Sequence, residues 1–213
     1  MIALITTSVP TLVKMREQTW KVGRLITPRM ATALEGTITH GLPWAADCDG
    51  FNGVDVPAYL RMLSTISKYP SGCRFVVLPD KVADARETLR LYMKWQDIVR
   101  GDLGLPAAYV LQDGIEGVGE PWDYLDAVFI GGTTPFKLSR VVRRIVAEAK
   151  DRGKWVHMGR VNTPDRAFYA RSIGCDSFDG SQWGRFPERD FPELVSILED
   201  TWTPHLEGQG VLK

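Results

Sequence analysis

Eight short apolar runs alternate with longer segments of helical periodicity along this chain, and that alternation restricts its possible folds more than any other feature. Strands that alternate with helices, without a long linker, favour a parallel sheet covered by helices. The predicted strands are Ile2–Thr6, Arg24–Thr27, Pro43–Asp47, Arg74–Pro79, Ala108–Gln112, Ala127–Ile130, Trp155–Met158 and Ser177–Asp179. The predicted helices are Leu12–Trp20, Val56–Lys68, Ala83–Arg100, Pro135–Arg152, Thr163–Ile173 and Phe191–Trp202, with Thr163 and Asp190 as N-caps.

Eight predicted strands favour a closed barrel over an open doubly wound sheet, although 213 residues is short for such a barrel. We therefore predict one compact α/β domain over residues 1–213, a (β/α)₈ TIM-type barrel. Residues 206–213 are predicted to form a flexible tail.

Composition and charge exclude several classes of protein. Apolar residues make up 44% of the chain and charged residues 24%, which is typical of a soluble globular protein. The formal net charge is zero, so any nucleic-acid surface must be a local patch. Residues 134–154 form one candidate patch, with seven Lys or Arg residues against two Asp or Glu residues. No apolar run reaches the length of a membrane span, and we expect no membrane partner.

The cysteines and histidines predict neither a metal site nor a cofactor. Three cysteines in a chain without a secretory leader indicate reduced thiols and a cytoplasmic location. Their spacing, and that of the three histidines, fits no zinc motif. We interpret the histidines as structural or surface residues, with His157 the first exception to consider. Cys48 has no obvious activating base, which disfavours a nucleophilic role.

Polar residues and glycines follow the C-terminal ends of six consecutive predicted strands. Active sites of (β/α)₈ barrels are built at that end. A single Asp there is more often a helix cap or turn residue, and Gly131-Gly132 alone is more often a tight turn. Six such segments together predict a polar pocket at the barrel mouth. They are Asp47-Cys48-Asp49-Gly50-Phe51-Asn52, Pro79-Asp80-Lys81, Gln112-Asp113-Gly114, Gly131-Gly132-Thr133-Thr134, His157-Met158-Gly159-Arg160 and Asp176-Ser177-Phe178-Asp179-Gly180.

These segments resemble the tRNA-guanine transglycosylase family over about residues 43–184. That family has a Leu-Met-Gly-Val-Gly-x-Pro-Glu/Asp run followed by Gly-x-Asp-Met-Phe-Asp, whose last Asp is the nucleophile. This chain has Val156-His157-Met158-Gly159-Arg160-Val161-Asn162-Thr163-Pro164-Asp165 and then Gly174-Cys175-Asp176-Ser177-Phe178-Asp179. The segment beginning at Asp47 is similar to the family's Asp-Ser-Gly-Gly-Phe/Tyr-Gln loop, and the segments at Gln112 and Gly131 fit its Gln-Gly and Gly-Gly-Leu segments.

The resemblance implies a base exchange in which guanine in a nucleic acid is replaced by a free 7-deazaguanine. Asp179 would be the covalent nucleophile, and Asp47 the general acid and then the base. Asp176 is excluded as the nucleophile by the resemblance, and strand periodicity puts it on the opposite side from Asp179. The implied base-binding residues are Asp80 for the N1–H and 2-amino edge, Gln112 and the Gly132 N–H for O6, Phe51 and Met158 for stacking, and Gly131 and Gly159 beside them.

The chain has no cluster of three cysteines and a histidine after Asp179, where the family's tRNA enzymes carry a zinc site. In this respect it is similar to the phage-type DNA deazaguanine transglycosylases, which implies DNA rather than tRNA as the partner and a 7-cyano base as the incoming group. The implied nucleic-acid contacts are Arg160, Arg185 and Lys137. The base must be single-stranded or flipped out to reach such a pocket.

Other functions remain open from the sequence. The chain could be a tRNA-guanine transglycosylase, or a barrel enzyme that grips a small sugar phosphate with Gly131-Gly132-Thr133-Thr134. It could also be a non-catalytic barrel that binds nucleic acid. The sequence does not predict an oligomeric state.

Overall fold

The computed structural model describes residues 1–203 and confirms the predicted (β/α)₈ barrel. Eight parallel strands pair in sequence order, and the eighth closes the barrel on the first. The strands are β1 (Ile2–Ile5), β2 (Val22–Ile26), β3 (Trp44–Ala46), β4 (Cys73–Val77), β5 (Ala107–Leu111), β6 (Ala127–Ile130), β7 (Trp155–Met158) and β8 (Ser177–Asp179). The tail predicted at residues 206–213 lies outside the described residues.

An α-helix follows every strand except β5, which leads to β6 through a 3₁₀ turn. The helices are α1 (Val9–Arg16), α2 (Leu34–Thr39), α3 (Val56–Ile66), α4 (Ala85–Gln96), α5 (Thr134–Lys137), α6 (Arg140–Asp151), α7 (Pro164–Ser172), α8 (Ser181–Arg185) and α9 (Pro187–Leu198). Short 3₁₀ turns lie at Pro28–Ala33, Gly50–Asn52 and Ile115–Gly117, and a π-turn at Asp97–Asp102 extends α4. Within residues 1–203, no helix combines the length and apolar character needed to cross a membrane.

Three helix predictions were wrong in their boundaries. The first helix was predicted over Leu12–Trp20 and spans Val9–Arg16, because Ser8 caps it and its side chain accepts from the Thr11 N–H. The helix predicted over Pro135–Arg152 is broken into α5 and α6, because the Ser139 side chain accepts a hydrogen bond from the Val142 N–H and begins a new helix. The last helix begins at Pro187, so Asp190 lies inside its first turn and is not its N-cap. By contrast, Thr163 does cap α7, since its side chain accepts from the Arg166 N–H.

Strand periodicity decides which side chains enter the barrel. His157 and Ser177 are partners in the β7–β8 register, and both are fully buried. Because successive strand residues face opposite sides, Asp179 shares the inward side with Ser177. The inward His157 ring packs against two aromatic rings, with its centroid 4.7 Å from that of Phe129, its partner on the neighbouring strand β6, and 4.9 Å from that of Phe75 on β4.

Candidate active site

A cleft of about 400 Å³ opens at the C-terminal mouth of the barrel. This volume is within the range of small-molecule binding sites, roughly 300–1,000 Å³. Val77, Val110 and Phe129, from three neighbouring strands, supply its apolar lining. Most of the predicted site residues also line it, namely Asp47, Phe51, Asp80, Gln112, Gly131, Gly132, Lys137, Arg160 and Asp179.

Asp179, at the end of β8, is held by two donors. Its Oδ1 is 2.9 Å from Nε2 of His157, and the Arg160 N–H lies 3.3 Å from both carboxylate oxygens. Arg160 adopts a left-handed conformation with φ of 59°, which turns that N–H toward the carboxylate. These hydrogen bonds fix the Asp179 side chain from beneath, and its 17% exposure leaves it open to the cleft.

The peptide that donates to Asp179 is itself fixed from its other side. Lys137 Nζ donates to the Gly159 carbonyl oxygen at 2.5 Å, and this carbonyl belongs to the same peptide group as the Arg160 N–H. A cation on the carbonyl polarises the peptide and strengthens its N–H as a donor. Burial lowers the pKa of Lys137 to about 8, while the nearby Asp179 charge acts in the opposite direction.

Asp47 follows β3 and faces the same cleft. Burial raises the pKa of Asp47 to about 7, and the Asp179 charge adds to this effect. One oxygen of Asp47 accepts a hydrogen bond from the Asp49 N–H at 3.1 Å, which opposes the rise. The cleft therefore holds one carboxyl group poised to gain or lose a proton near neutrality and a second one anchored by hydrogen bonds.

Asp80 and Gln112 form a polar pair on the wall of the cleft. Gln112 Nε2 donates to Asp80 Oδ2 at 2.6 Å, and Gln112 Oε1 accepts from the Ala83 N–H at 2.9 Å. The second contact fixes the orientation of the amide and holds Ala83 at a φ of 60°. Burial raises the pKa of Asp80. A Cβ on Gly131 would lie 3.0 Å from Gln112 Nε2 and 2.6 Å from Val110, so only glycine fits beside this pair.

The Gly131-Gly132-Thr133-Thr134 segment does not form an open phosphate grip. Asp113 accepts hydrogen bonds from the Thr133 N–H at 2.9 Å and from its hydroxyl at 2.6 Å. Asp113 Oδ2 is also the atom closest to a Cβ built on Gly132, at 2.6 Å. A carboxylate thus occupies the position where a phosphate would have to bind.

Phe51 and Arg160 meet across the rim of the cleft. The Arg160 guanidinium carbon lies 4.1 Å from the centroid of the Phe51 ring, which is a cation–π contact. The Phe51 side chain remains 56% exposed. An aromatic face and a cation are therefore both available to a ligand that enters the mouth.

Three predicted site residues lie apart from the cleft lining. Because His157 faces into the barrel, its neighbour Met158 must face outward. It is 2% exposed and lines a separate small cavity beside Leu138 and Tyr169. Met158 is therefore not positioned to stack on a base in this cleft. Gly159 is buried beneath the cleft, where a Cβ would meet the Phe129 ring at 2.5 Å, and Arg185 is exposed at the end of α8.

The basic segment at residues 134–154 uses much of its charge within the protein. Lys150 pairs with Asp176 at 2.5 Å and Arg152 with Glu148 at 2.8 Å. The Arg143 guanidinium stacks on the Tyr169 ring. Asp176 directly precedes β8 and bonds to Lys150 on the outer helix α6, whereas Asp179, at the end of β8, faces the cleft.

Cys48 and the carboxylates do not suggest thiol or metal chemistry. Burial and the neighbouring Asp47 charge raise the pKa of the Cys48 thiol well above its ordinary value, which disfavours a thiolate nucleophile. Across the part of the chain that the structure describes, no group of three or more His, Cys, Asp or Glu side chains is arranged to hold a metal ion.

Sequence reasoning did not assign His157 a place beside Asp179. The signal was present, because His157 lies two residues before the Gly159-Arg160 turn on a strand adjacent to β8. Its inward direction and its partner depend on the barrel register.

Fold and site together define a (β/α)₈ barrel with a cleft at its mouth that is lined by the carboxyl groups of Asp47, Asp49, Asp80 and Asp179. No protein-family model matches the chain, and no curated protein matches it either.

Proposed function

We propose that this protein exchanges a guanine base in a nucleic acid for a free 7-deazaguanine through a covalent bond between Asp179 and the sugar. The observation that carries the proposal is the pair of carboxyl groups in one cleft with different surroundings. Asp179 is anchored by His157 and the Arg160 N–H, whereas the pKa of Asp47 is raised to about 7. A nucleophile and a proton carrier need this contrast.

In the first half-reaction, an Asp179 oxygen forms a bond to C1′ of the sugar as the C1′–N9 bond breaks. The electron pair of the broken bond goes to the departing guanine, which takes its proton from Asp47. In the second half-reaction, Asp47 accepts the proton of the incoming base, whose N9 forms a bond to C1′ and releases the Asp179 carboxylate. Two displacements at one carbon retain the configuration of the sugar, as in retaining glycosidases.

The wall of the cleft has groups that complement a guanine-type base. Asp80 offers acceptor oxygens for the N1–H and 2-amino edge, and the oriented Gln112 amide has a second N–H for O6. The contact between Gln112 and Ala83 keeps this amide from rotating. Phe51 at the rim offers a stacking face, worth roughly 1–3 kcal/mol per base.

A nucleic acid must present the base outside a duplex to reach this cleft, as a single strand or a flipped nucleotide. Arg160 on the rim is the cation best placed for a phosphate, with Arg185 farther out on the surface, whereas the Lys137 ammonium lines the cleft and bonds to the Gly159 carbonyl oxygen. DNA is the proposed partner, with tRNA as the alternative. A barrel enzyme that grips a small sugar phosphate is disfavoured, because the Thr133 N–H already donates to the Asp113 carboxylate.

The test is release of labelled guanine. The protein is incubated with guanine-labelled single-stranded DNA, or with labelled tRNA, together with 7-cyano- or 7-aminomethyl-7-deazaguanine. We expect release from DNA that depends on the added base, and a protein–DNA adduct that survives denaturation. Asp179→Asn should abolish both, because an amide is a poor nucleophile.

Asp176→Asn is the matched control, because Asp176 flanks the same strand but bonds to Lys150 away from the cleft. This variant should retain exchange and the adduct. Release of guanine from tRNA but not from DNA would identify tRNA, rather than DNA, as the substrate. The absence of release from both nucleic acids, or full activity in Asp179→Asn, would refute base exchange.

A further inference from the structure

A chain of three hydrogen-bonded side chains, Trp155, Ser177 and His157, leads through the barrel interior to the Asp179 carboxylate. Trp155 Nε1 is 2.8 Å from Ser177 Oγ, Ser177 Oγ is 2.8 Å from His157 Nδ1, and His157 Nε2 is 2.9 Å from Asp179 Oδ1. Ser177 and the His157 ring are shielded from solvent. Only the Asp179 end of the chain reaches the cleft.

The hydrogen-bond chemistry of these groups sets the direction of the whole chain. An indole N–H can only donate, and a carboxylate can only accept. His157 must therefore carry a hydrogen on Nε2 to bond Asp179. Burial between Phe75 and Phe129 lowers the pKa of His157 and so favours the neutral ring, whose Nδ1 is then an acceptor. The Ser177 hydroxyl completes the chain, since it accepts from Trp155 and donates to Nδ1.

We propose that His157 is a positioning residue for the nucleophile, held as its Nε2–H tautomer by Ser177 and Trp155. This inference rests on the proposed function and adds a residue to its machinery. His157 is not a catalytic residue, because it lies beneath Phe129 and does not line the cleft. It anchors Asp179 Oδ1, so the attacking atom is Oδ2, whose contact with the Arg160 N–H is long at 3.3 Å.

If these hydrogen bonds served folding alone, the chain of side chains would not need to end at the Asp179 carboxylate. Buried polar groups must be satisfied, and a pair such as Ser177 with Trp155 would satisfy itself without a histidine. The chain instead extends to a carboxylate at the mouth. An imidazole is rigid, so its Nε2–H restricts rotation of the Asp179 side chain. Misplacement of a reacting group by about 1 Å can cost on the order of 10²-fold in rate.

Two substitutions at His157 separate positioning from packing. His157→Leu fills the space without a donor, whereas His157→Gln keeps an N–H near the Nε2 position. We expect His157→Leu to lower kcat of exchange by on the order of 10²-fold while KM for the free base stays unchanged. We expect His157→Gln to recover much of the lost kcat. Circular dichroism and urea unfolding would compare the folded state of both variants with that of the wild type.

A spectroscopic readout tests the same chain without any activity. Long-range ¹H–¹⁵N NMR distinguishes the protonated from the unprotonated imidazole nitrogen, and the His157 signals are assigned by their loss in His157→Gln. We expect Nε2–H and unprotonated Nδ1 at neutral pH in the wild type. Ser177→Ala should cause a smaller loss of kcat than His157→Leu, since Nδ1 then lacks its donor while Asp179 still accepts from the Nε2–H.

The outcomes distinguish this inference from the proposed function. If the wild type releases no guanine from either nucleic acid, the proposed function fails and the catalytic role of His157 fails with it. If the wild type exchanges bases and folded His157→Leu retains its kcat, the role of His157 is refuted and base exchange stands. An Nδ1–H tautomer in the wild type would refute the direction of the chain.

Discussion

Asp47→Asn should stabilise the protein at alkaline pH and much less at acidic pH. The pKa of Asp47 rises from an ordinary 3.8 to about 7 in the fold, chiefly because the carboxyl group is buried. The folded state therefore binds this proton more tightly than the unfolded chain, and stability falls as pH rises between these two values. Each tenfold change in proton affinity is worth about 1.4 kcal/mol, so the full penalty is about 4 kcal/mol.

The asparagine has the same shape, never ionises and keeps an oxygen for the Asp49 N–H. Linkage predicts a gain in unfolding free energy that is about 3 kcal/mol larger at about pH 8 than at about pH 4.5. Urea unfolding of both proteins at the two pH values measures this difference. Asp49→Asn is the control, because it removes a neighbouring carboxyl group that is exposed. An equal effect of Asp47→Asn at both pH values would refute the burial argument.

Three further substitutions test other parts of the cleft. Ala83→Gly should raise the unfolding free energy by roughly 0.5–1 kcal/mol, because relief of the left-handed φ outweighs the entropy of glycine; a lower urea midpoint would contradict this. Gly131→Ala should displace Gln112 and raise KM for the free base about tenfold, which is equivalent to one lost hydrogen bond. An unchanged KM would show that the neighbouring side chains move aside without loss of base binding. Arg160→Asn keeps a residue that tolerates its backbone conformation, and it should reduce the salt dependence of single-strand binding by about one phosphate contact, a slope change of about 0.7. Arg185→Asn provides the comparison, and an equal or larger change there would place the phosphate path on α8.

The cleft residues that sequence reasoning brought together share one property. Each of these residues ends or directly follows a predicted strand: Asp47, Gln112 and Asp179 end one, and Asp80 and Gly131 follow one. Parallel strands in a closed barrel present those ends at one mouth. The position in sequence was therefore enough to place them in one cleft. Their chemical roles remain predictions that the exchange assay tests.

The errors arose where a side chain's direction or a local contact mattered. Met158 and His157 are adjacent in β7, and the strand could have faced either one inward. The register with β8 placed His157 against Ser177, so Met158 faces the helices. The break at Ser139 and the start of α9 at Pro187 depended on single capping and turn contacts, which periodicity does not detect.

The sequence by itself determined the barrel and the ring of polar residues at its mouth, because apolar periodicity and strand order are local properties of the chain. The tertiary structure alone decided that Asp113 accepts from the Thr133 N–H, that Lys137 holds the Gly159–Arg160 peptide group whose N–H donates to Asp179, and that a histidine anchors Asp179. These contacts join residues about twenty positions apart, on neighbouring strands and the loops that follow them. Their geometry depends on strand register and on left-handed backbone turns, and neither is encoded in residue type alone.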